Sequence, residues 1–456
     1  MNYHEFLNSK RHNCNLNGFD PVFFPDIAFD FQNKIIERAV LSGRLGMFLD
    51  TGLGKTLVQL AVAENIIRKT NKRVLILTPL AVSFQFLSEG EKIGVTDICH
   101  TKDGKFNNKI VICNYERLHL LNPNDFVCVM LDESSILKNF NGKTRDSILA
   151  FIKKVEYRYL STATPSPNDF IELGNSSEAL GHMGYMDMLS RFFKSNQNSI
   201  DSNNRNIGEK FYLKPHAEDD FFAWVNQWGL MVKKPSDLGF SDESHKLPEL
   251  KINSVIVEND RACCADGQFD MFGNQAARIT DVRAESKDTA IQRCEKAVEL
   301  ANGKTSVYWC NTNDESNLLK NADSDAVEII GSMSMEAKEE ALINFANGNI
   351  KRLITKASMT GMGLNWQHCN HSVFFPTWSY EQYYQAVRRF WRFGQKKDVT
   401  IDMVSSSRNG RVIKALEEKS AKADILYSKI MQSKNGWFLD KAKQFNTTVT
   451  LPEFIK

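Results

Sequence analysis

The stretch DTGLGKT at residues 50–56 constrains the fold more than any other part of this chain of 456 residues. An apolar run at 45–49 leads into it, and residues 57–63 leave it with apolar side chains at helical spacing. A strand, a glycine-rich loop and a helix in this order turn successive backbone N–H groups toward one point, at the positive end of a helix dipole. The stretch therefore predicts a phosphate-binding loop, although Leu49 stands where the strict pattern has a glycine.

Two side chains of this loop have distinct expected roles. Lys55 adds a full positive charge for the outer phosphates of a nucleotide, and the hydroxyl of Thr56 can hold Mg²⁺. The loop residues that we expect to contact the nucleotide are Thr51, Gly52, Leu53, Gly54, Lys55 and Thr56. About one helix upstream, the amide of Gln32 can read an adenine edge because it both donates and accepts hydrogen bonds. A solvated helix residue is the alternative interpretation of Gln32.

Buried strands follow the loop at residues 73–79, 110–118, 126–133 and 158–165. The third of them ends in Asp132 and Glu133, at the carboxyl edge of the sheet, where open α/β sheets bind their ligands. We expect Asp132 to hold Mg²⁺ and Glu133 to polarise the attacking water. A helix cap is the alternative reading of such a pair, and the upstream phosphate loop argues against it.

Composition narrows the class of protein. The net charge of +2 gives no global field that would attract nucleic acid, so any such binding needs a local groove. The nine cysteines are scattered without a CxxC pair, which disfavours zinc and favours a reducing compartment. The first residues do not resemble a signal peptide, and the apolar runs have the length of strands, so we expect no membrane association.

A second alternation of helices and strands begins near residue 285 and has no phosphate loop of its own. It offers instead an arginine-rich helix predicted over 379–393. Arg389 and Arg392 are three residues apart and would share one helix face. From a second lobe they can complete the charge clamp on a transferring phosphoryl group. The alternative is a solvated basic face or a patch that binds nucleic-acid phosphate, which suits Arg388 better, together with Lys396 and Lys397.

These patterns divide the chain into four predicted regions. We expect a nucleotide-binding lobe at 1–175, a helical insertion and crossover at 176–250, a second lobe at 251–430 and a tail at 431–456.

The ordered series of motifs resembles the superfamily 2 helicase-type ATPases, and most closely their Swi/Snf-like branch of DNA translocases. The stretches that carry the resemblance, beside Gln32, are GLGKT at 52–56, LTPL at 77–80, NYE at 114–116, LDE at 131–133, STATP at 161–165, GMGLN at 361–365 and QAVRRFWRFGQ at 385–395. The resemblance implies an α/β fold of two RecA-like lobes with parallel sheets, an ATP cleft between them and a helical insertion between the lobes. It implies ATP and Mg²⁺ as cofactors, with Gly363 and Asn365 added to the ATP site.

The resemblance also implies that DNA lies across both lobes, with duplex DNA favoured and single-stranded DNA allowed. The expected contacts are Pro79, Leu80, Asn114, Tyr115, Lys138, Asn311, Thr312, Lys356, Trp366 and Trp378. The two tryptophans could stack on bases or sugars, and half-buried packing is the equal alternative. Ser134-Ser135 stands after the acidic pair where the family usually has Ala-His or similar, so the coupling role of that His is not carried over to this chain.

We expect an ATP-driven DNA translocase, and two other classes of protein stay open. One is a strand-separating helicase on forked DNA or RNA, and the other is an interaction protein that uses ATP as a slow conformational latch. The compact build resembles bacterial and bacteriophage members, which predicts the cytoplasm of a bacterial host cell. We expect a monomer, or a chain that works with replication, recombination or repair proteins.

Overall fold

The structure is a computed structural model that describes residues 17–79, 82–138, 142–195, 211–257, 287–359, 365–406 and 410–432. Two of the predicted site residues, Leu80 and Gly363, lie outside the described residues. The described part contains two parallel sheets with helices on both faces, so the predicted two-lobed α/β fold is confirmed.

The first sheet has seven strands in the order β3-β4-β2-β5-β6-β1-β9, all parallel. The strands of this half of the chain are β1 (Arg44–Leu49), β2 (Arg73–Thr78), β3 (Ile98–His100), β4 (Ile110–Asn114), β5 (Phe126–Asp132), β6 (Tyr157–Ser161), β7 (Phe193–Ser195), β8 (Phe211–Leu213) and β9 (Gly229–Val232). Strands β7 and β8 form a separate antiparallel pair. The four strands predicted after the loop are thus β2, β4, β5 and β6.

Strand β9 was not predicted, because its residues looked like the start of the crossover. It pairs with β1, so the end of the predicted insertion contributes an edge strand to the first sheet. Alternate residues of each central strand point to opposite faces of this sheet. Leu75 and Leu77 pack in one buried apolar cluster, whereas Val74 and Ile76 pack in the other.

The helices of this half lie on the two faces of the sheet. They are α1 (Asp30–Ser42), α2 (Lys55–Thr70), α3 (Ser83–Lys92), α4 (Lys143–Ile152), α5 (Leu173–Leu180), α6 (Tyr185–Phe192) and α7 (Glu218–Trp228). Helix α2 begins directly after the glycine-rich loop, with Gly54 as its N-cap, and ends at Asn71 in the left-handed conformation. Short 3₁₀ turns connect the elements at Tyr115–Leu120, Pro123–Asp125, Ser134–Lys138, Phe170–Glu172, Pro215–Ala217, Pro235–Leu238 and Glu243–His245.

The second sheet has six parallel strands in the order β10-β15-β14-β11-β13-β12. They are β10 (Leu250–Val257), β11 (Ser306–Cys310), β12 (Val327–Glu328), β13 (Arg352–Lys356), β14 (His371–Phe374) and β15 (Val399–Ser406). Strand β10 was missed by the sequence patterns, because most of its side chains are exposed on an edge strand. Apolar clusters cover both faces of this sheet as well.

The helices of the second lobe are α8 (Ala290–Ala301), α9 (Asn313–Ala322), α10 (Met335–Ala346), α11 (Tyr380–Val387) and α12 (Gly410–Gln432), with a 3₁₀ turn at Ala357–Met359. The helix predicted over 379–393 is shorter, since α11 ends at Val387 with Arg388 as its C-cap. The expectation that Arg389 and Arg392 share a helix face is therefore wrong, because both follow the end of the helix.

Helix α12 connects the two lobes. Leu416 packs in the core of the second lobe, whereas Leu426 and Ile430 pack in a core cluster of the first. The ammonium group of Lys233 lies 2.6 Å from the carboxylate of Asp424 on the same helix. None of the helices within the described ranges is long and apolar enough to cross a lipid bilayer.

Candidate active site between the two lobes

The glycine-rich loop needs glycine for both conformation and space. The φ angles of Gly52 and Gly54 are +91° and +80°, a region that strains other residues. A Cβ atom on Gly54 would lie 2.2 Å from Nε2 of Gln32. The sequence around the loop therefore builds a tight turn that places backbone N–H groups at the start of α2.

Gln32 is buried against this turn rather than solvated. Its Nε2 donates to the carbonyl of Leu53 at 3.0 Å, and its Oε1 accepts the backbone N–H of Phe29 at 3.0 Å. The side chain is 4% exposed. Its amide thus ties α1 to the loop, which is a structural role that sequence reasoning did not foresee. A side-chain amide has two donors and two acceptor positions, so Gln32 can still hydrogen-bond an adenine beside these two contacts. Its recognition of adenine stays a prediction.

Lys55 and Thr56 lie in the first turn of α2. The ammonium group of Lys55 donates to the carbonyl of Leu49 at 3.2 Å, which leaves two of its three donors for phosphate oxygens. The hydroxyl of Thr56 accepts a hydrogen bond from Nε2 of Gln85 at 3.4 Å. Gln85, on α3, was not predicted as a site residue.

Asp132 lies at the end of β5, at the predicted edge of the sheet, and is buried there. Its carboxylate accepts a hydrogen bond from Nε2 of Gln59 at 2.9 Å. Burial raises the pKa of Asp132, whereas Gln59 and the charge of Lys55 lower it. Gln59 is four residues after Lys55 on α2, and this spacing places the two side chains on one helix face. The same spacing could have identified Gln59 from sequence.

Glu133 has an unusual backbone conformation. Its φ angle is +53°, and strain of this kind in a residue other than glycine concentrates at functional sites. Its carboxylate lies 3.4 Å from the hydroxyl of Thr162, which is the first residue after β6. Burial raises the pKa of Glu133 to about 7, and the negative charges of Asp132 and Glu381 act in the same direction, against the charge of Lys55.

The second lobe contacts this edge of the first sheet through α11. Nε2 of Gln385 donates to the Glu133 carboxylate at 3.3 Å. Arg388 forms an ion pair with Asp50 in which the two atoms are 2.6 Å apart, and the hydroxyl of Tyr384 donates to the same carboxylate. The interpretation of Arg388 as part of a solvated basic face is therefore wrong, because the side chain is only 12% exposed and is neutralised at the start of the loop.

Arg389 and Arg392 both lie near first-lobe carboxylates. Burial lowers the pKa of Arg389 to about 9 and Arg392 lowers it too, whereas the charge of Glu133 raises it. The guanidinium group of Arg389 lies over the ring of Trp366, 5.1 Å from its centroid. Burial also lowers the pKa of Arg392 to about 10, against the charge of Glu89 on α3. Each guanidinium group is thus influenced by the charge of a first-lobe carboxylate, and their role in the cleft stays a prediction.

Asn365 is the only member of the predicted pair Gly363 and Asn365 that falls within the described residues. Its side-chain oxygen accepts a hydrogen bond from Arg392. Next to Arg392, Phe393 packs directly against the loop. A Cβ atom on Gly52 would lie 2.9 Å from the Cβ of Phe393, so this contact leaves no room for a side chain there. The ring of Phe393 stacks on His245 with centroids 4.6 Å apart.

Three predicted nucleic-acid contacts are buried in this structure. Asn114 is 1% exposed and its Oδ1 lies 3.1 Å from Nε2 of His100. Tyr115 is 5% exposed, and its hydroxyl donates to the carbonyl of Asp132 at 2.6 Å. Trp366 is 2% exposed and packs on Trp309 with ring centroids 5.8 Å apart. None of the three side chains presents a free surface here, which for Trp366 agrees with the alternative of packing. A role of these loops in binding nucleic acid stays a prediction.

The remaining predicted nucleic-acid contacts differ in their hydrogen-bond partners and in how far they are exposed. Lys138 forms an ion pair with Glu381 of α11. Thr312 is the N-cap of α9, and Nδ2 of Asn311 donates to the carbonyl of Pro376 at 3.0 Å. Lys356 donates to the side-chain oxygen of Asn313 at 2.6 Å. Pro79 is half-buried at the end of β2, and Trp378 is 44% exposed. The roles of these residues stay predictions.

Comparisons with known proteins give a match to one family model and similarity to solved structures. The model of the helicase conserved C-terminal domain matches residues 289–394, a segment that includes α11 and both arginines. A comparison with curated proteins gives no match. Among solved structures, the chain is similar to the SWI2/SNF2 ATPase core of Sulfolobus solfataricus in complex with double-stranded DNA. That likeness has a TM-score of 0.41 at 17% identity and covers 91% of this chain and 96% of the other.

Proposed function

We propose that this chain is an ATP-dependent motor on nucleic acid, and that it translocates along DNA, with duplex DNA as its preferred track. The observation that carries the proposal is the contact between the lobes at the glycine-rich loop. Gln385 of the second lobe is hydrogen-bonded to Glu133, and Arg388 is ion-paired with Asp50, at 3.3 and 2.6 Å. A nucleotide in that loop would be enclosed by both lobes.

The roles of the residues follow from their positions. The loop N–H groups and Lys55 bind phosphate, and Glu133 accepts a hydrogen bond from the attacking water when its carboxylate is ionised. Arg389 and Arg392 reach the transferring group from the opposite lobe, where their charge stabilises the transition state. Hydrolysis requires both lobes to contact the nucleotide, so opening and closing of the cleft is coupled to turnover.

Magnesium fits the side chains present at the loop. Thr56 offers a hydroxyl and Asp132 a carboxylate, and hard oxygen atoms of these kinds are the ligands that Mg²⁺ prefers. Gln59 holds the Asp132 carboxylate by its hydrogen bond of 2.9 Å and so fixes the orientation of this ligand. When bound, the ion would neutralise charge on the phosphate oxygens.

Motion along DNA is supported by the two-lobed build and by the helicase-type second lobe. The residues proposed to face the track are those that remain at least partly exposed, among them Lys356 and Trp378. The series of motifs up to Gly394 and Gln395 favours translocation on duplex DNA over strand separation.

The test is the rate of ATP hydrolysis without nucleic acid and with single-stranded DNA, duplex DNA or RNA, all at one stated salt concentration. We expect a steep increase with DNA, largest with duplex, and none in the Lys55→Ala variant. Equal rates of hydrolysis in all four samples would refute the proposal that the chain is a motor on nucleic acid. Displacement of a third strand from duplex DNA and unwinding of a fork then separate translocation from strand separation.

A further inference from the structure

We infer that one face of α11 is a docking face that sets the position of the second lobe over the phosphate loop, with Asp50 as its main anchor. The docking face consists of Glu381, Tyr384, Gln385 and Arg388. In this inference, which rests on the proposed function, Asp50, Tyr384 and Arg388 are positioning residues for ATP hydrolysis rather than catalytic residues.

The spacing of the four residues places them on a single side of the helix. They are at i, i+3, i+4 and i+7, and residues at these separations are neighbours on a helix surface. Each of the four contacts a first-lobe partner. Those partners are Lys138 for Glu381, Asp50 for Tyr384 and Arg388, and Glu133 for Gln385.

Asp50 is the partner with the most contacts. It is the first residue after β1 and is 6% exposed. One carboxylate oxygen accepts the backbone N–H of Thr51 at 2.6 Å and the hydroxyl of Tyr384, and the other accepts from Arg388 at 2.6 Å. A single buried carboxylate therefore connects the first amide of the loop to two residues of the other lobe.

Arg388 is also held from its own side of the interface. Its guanidinium group lies 4.4 Å from the centroid of Trp391 and 5.2 Å from that of Tyr384. The indole N–H of Trp391 in turn donates to the carbonyl of Pro248 in the crossover, at 2.7 Å. These contacts direct Arg388 to Asp50 and hold it as an ion-pair partner, so the phosphate-facing roles fall to Arg389 and Arg392.

The docking face carries opposite charges at its two ends. Glu381, in the first turn of α11, pairs with Lys138, whereas Arg388, at the C-cap, pairs with Asp50. A helix docked in the reverse direction would bring Glu381 to Asp50 and Arg388 to Lys138, and like charges in contact oppose such a pairing. The charges thus specify one orientation of the second lobe.

The consequence for hydrolysis follows from the sequence order. Gln385, between the two ion pairs, reaches Glu133, and Arg389 directly follows Arg388. Loss of docking would displace Arg389 and Arg392 from the cleft while the loop still binds nucleotide. We therefore expect a defect in kcat that is larger than the defect in KM for ATP.

The first experiment exchanges the charges of the Lys138–Glu381 pair in the full chain. The variants are Lys138→Glu, Glu381→Lys and the double exchange, with ATP hydrolysis measured at saturating duplex DNA and in its absence. Each single variant should lower kcat about tenfold, and the double exchange should recover most of it, because contacting residues couple by amounts of this order. The control exchanges the exposed pair Lys34 and Glu37, 45% and 36% exposed, which should change nothing.

The second experiment is a double-mutant cycle on the anchor, with Asp50→Asn, Arg388→Met and the two combined. The combined variant should lose about as much kcat as Arg388→Met alone, because either change removes the same ion pair. Losses that multiply, or single exchanges at Lys138 and Glu381 without effect on kcat, would overturn the inference.

A readout without ATP separates this inference from the proposed function. Amide hydrogen exchange over residues 380–392 of the nucleotide-free protein should be faster in Arg388→Met and Glu381→Lys, and should return to the wild-type rate in the double exchange. A wild-type protein that hydrolyses no ATP refutes the proposed function alone. Unchanged exchange rates in all variants refute the docking face alone.

Discussion

The pKa of Glu133 gives a prediction that can be worked out from the structure. The proposed role of this residue needs an ionised carboxylate, and burial raises its pKa to about 7. The logarithm of kcat/KM against pH reports the ionisations of the free enzyme. For a required base with a pKa of about 7, kcat/KM for ATP should increase about tenfold between pH 6 and pH 8.

The assay needs a control because the nucleotide also titrates, with phosphate groups losing a proton near pH 6. Glu381→Gln removes a negative charge that raises the pKa of Glu133, so it should move the acid limb to lower pH. A limb that belongs to the nucleotide would stay in place. A rate that is flat from pH 6 to pH 8, or a limb that Glu381→Gln does not move, would refute the assignment of Glu133 as the base.

Three further predictions use single variants. Lys55→Ala should abolish ATP hydrolysis with an unchanged circular dichroism spectrum, and surviving activity would exclude the proposed site. Glu133→Gln should also abolish turnover yet increase the melting temperature more at pH 8 than at pH 5. The reason is that a carboxyl group whose pKa is raised in the folded state destabilises the fold once it is ionised. An increase over the wild type that is equal at pH 5 and pH 8 would contradict this. Trp366→Ala should lower the free energy of unfolding by about 3–5 kcal/mol, measured by urea unfolding, because it empties a packed aromatic site. Trp378→Ala, at an exposed residue, should leave stability unchanged. If the ring of Trp378 stacks on a base, this variant should weaken DNA binding by about 1–3 kcal/mol in a binding titration.

The parts of the site that follow strands were predictable because their geometry is local. The loop at 50–56 and the pair Asp132 and Glu133 each come directly after an apolar strand, and parallel strands bring their carboxyl ends to one edge. The structure places them together at that edge, with Gln59 as an added partner of Asp132. Sequence patterns of this kind depend on a few neighbouring residues and need no knowledge of tertiary contacts.

The contacts between the lobes could not be predicted in the same way. Asp50 and Arg388 are 338 residues apart in the sequence, so nothing local distinguishes Arg388 from a solvated arginine. The end of α11 was misjudged because apolar and basic residues continue through 388–393 with helical spacing, although the chain turns there. Burial of Trp366 likewise depends on Phe345 and Phe390 from separate segments.

Edge strands were the weakest part of the fold prediction. Strand β10 exposes most of its side chains and lacks the continuous apolar pattern of a central strand. Strand β9 is apolar but short, and the lysines that follow it suggested a connection rather than a strand. In both cases pairing with one neighbour, β15 or β1, supplies the order that the sequence pattern does not show.

The central claim is that one nucleotide is held between the lobes, with the loop on one side and Arg389 and Arg392 on the other. The most direct test compares Arg389→Lys with the wild type, since lysine keeps the charge but loses the planar fork of donors. With DNA present, we predict that ATP hydrolysis falls by a large part of the roughly 10³–10⁵-fold worth of an arginine finger, while ATP affinity changes little. Hydrolysis at the wild-type rate in that variant would show that the second lobe does not complete the site.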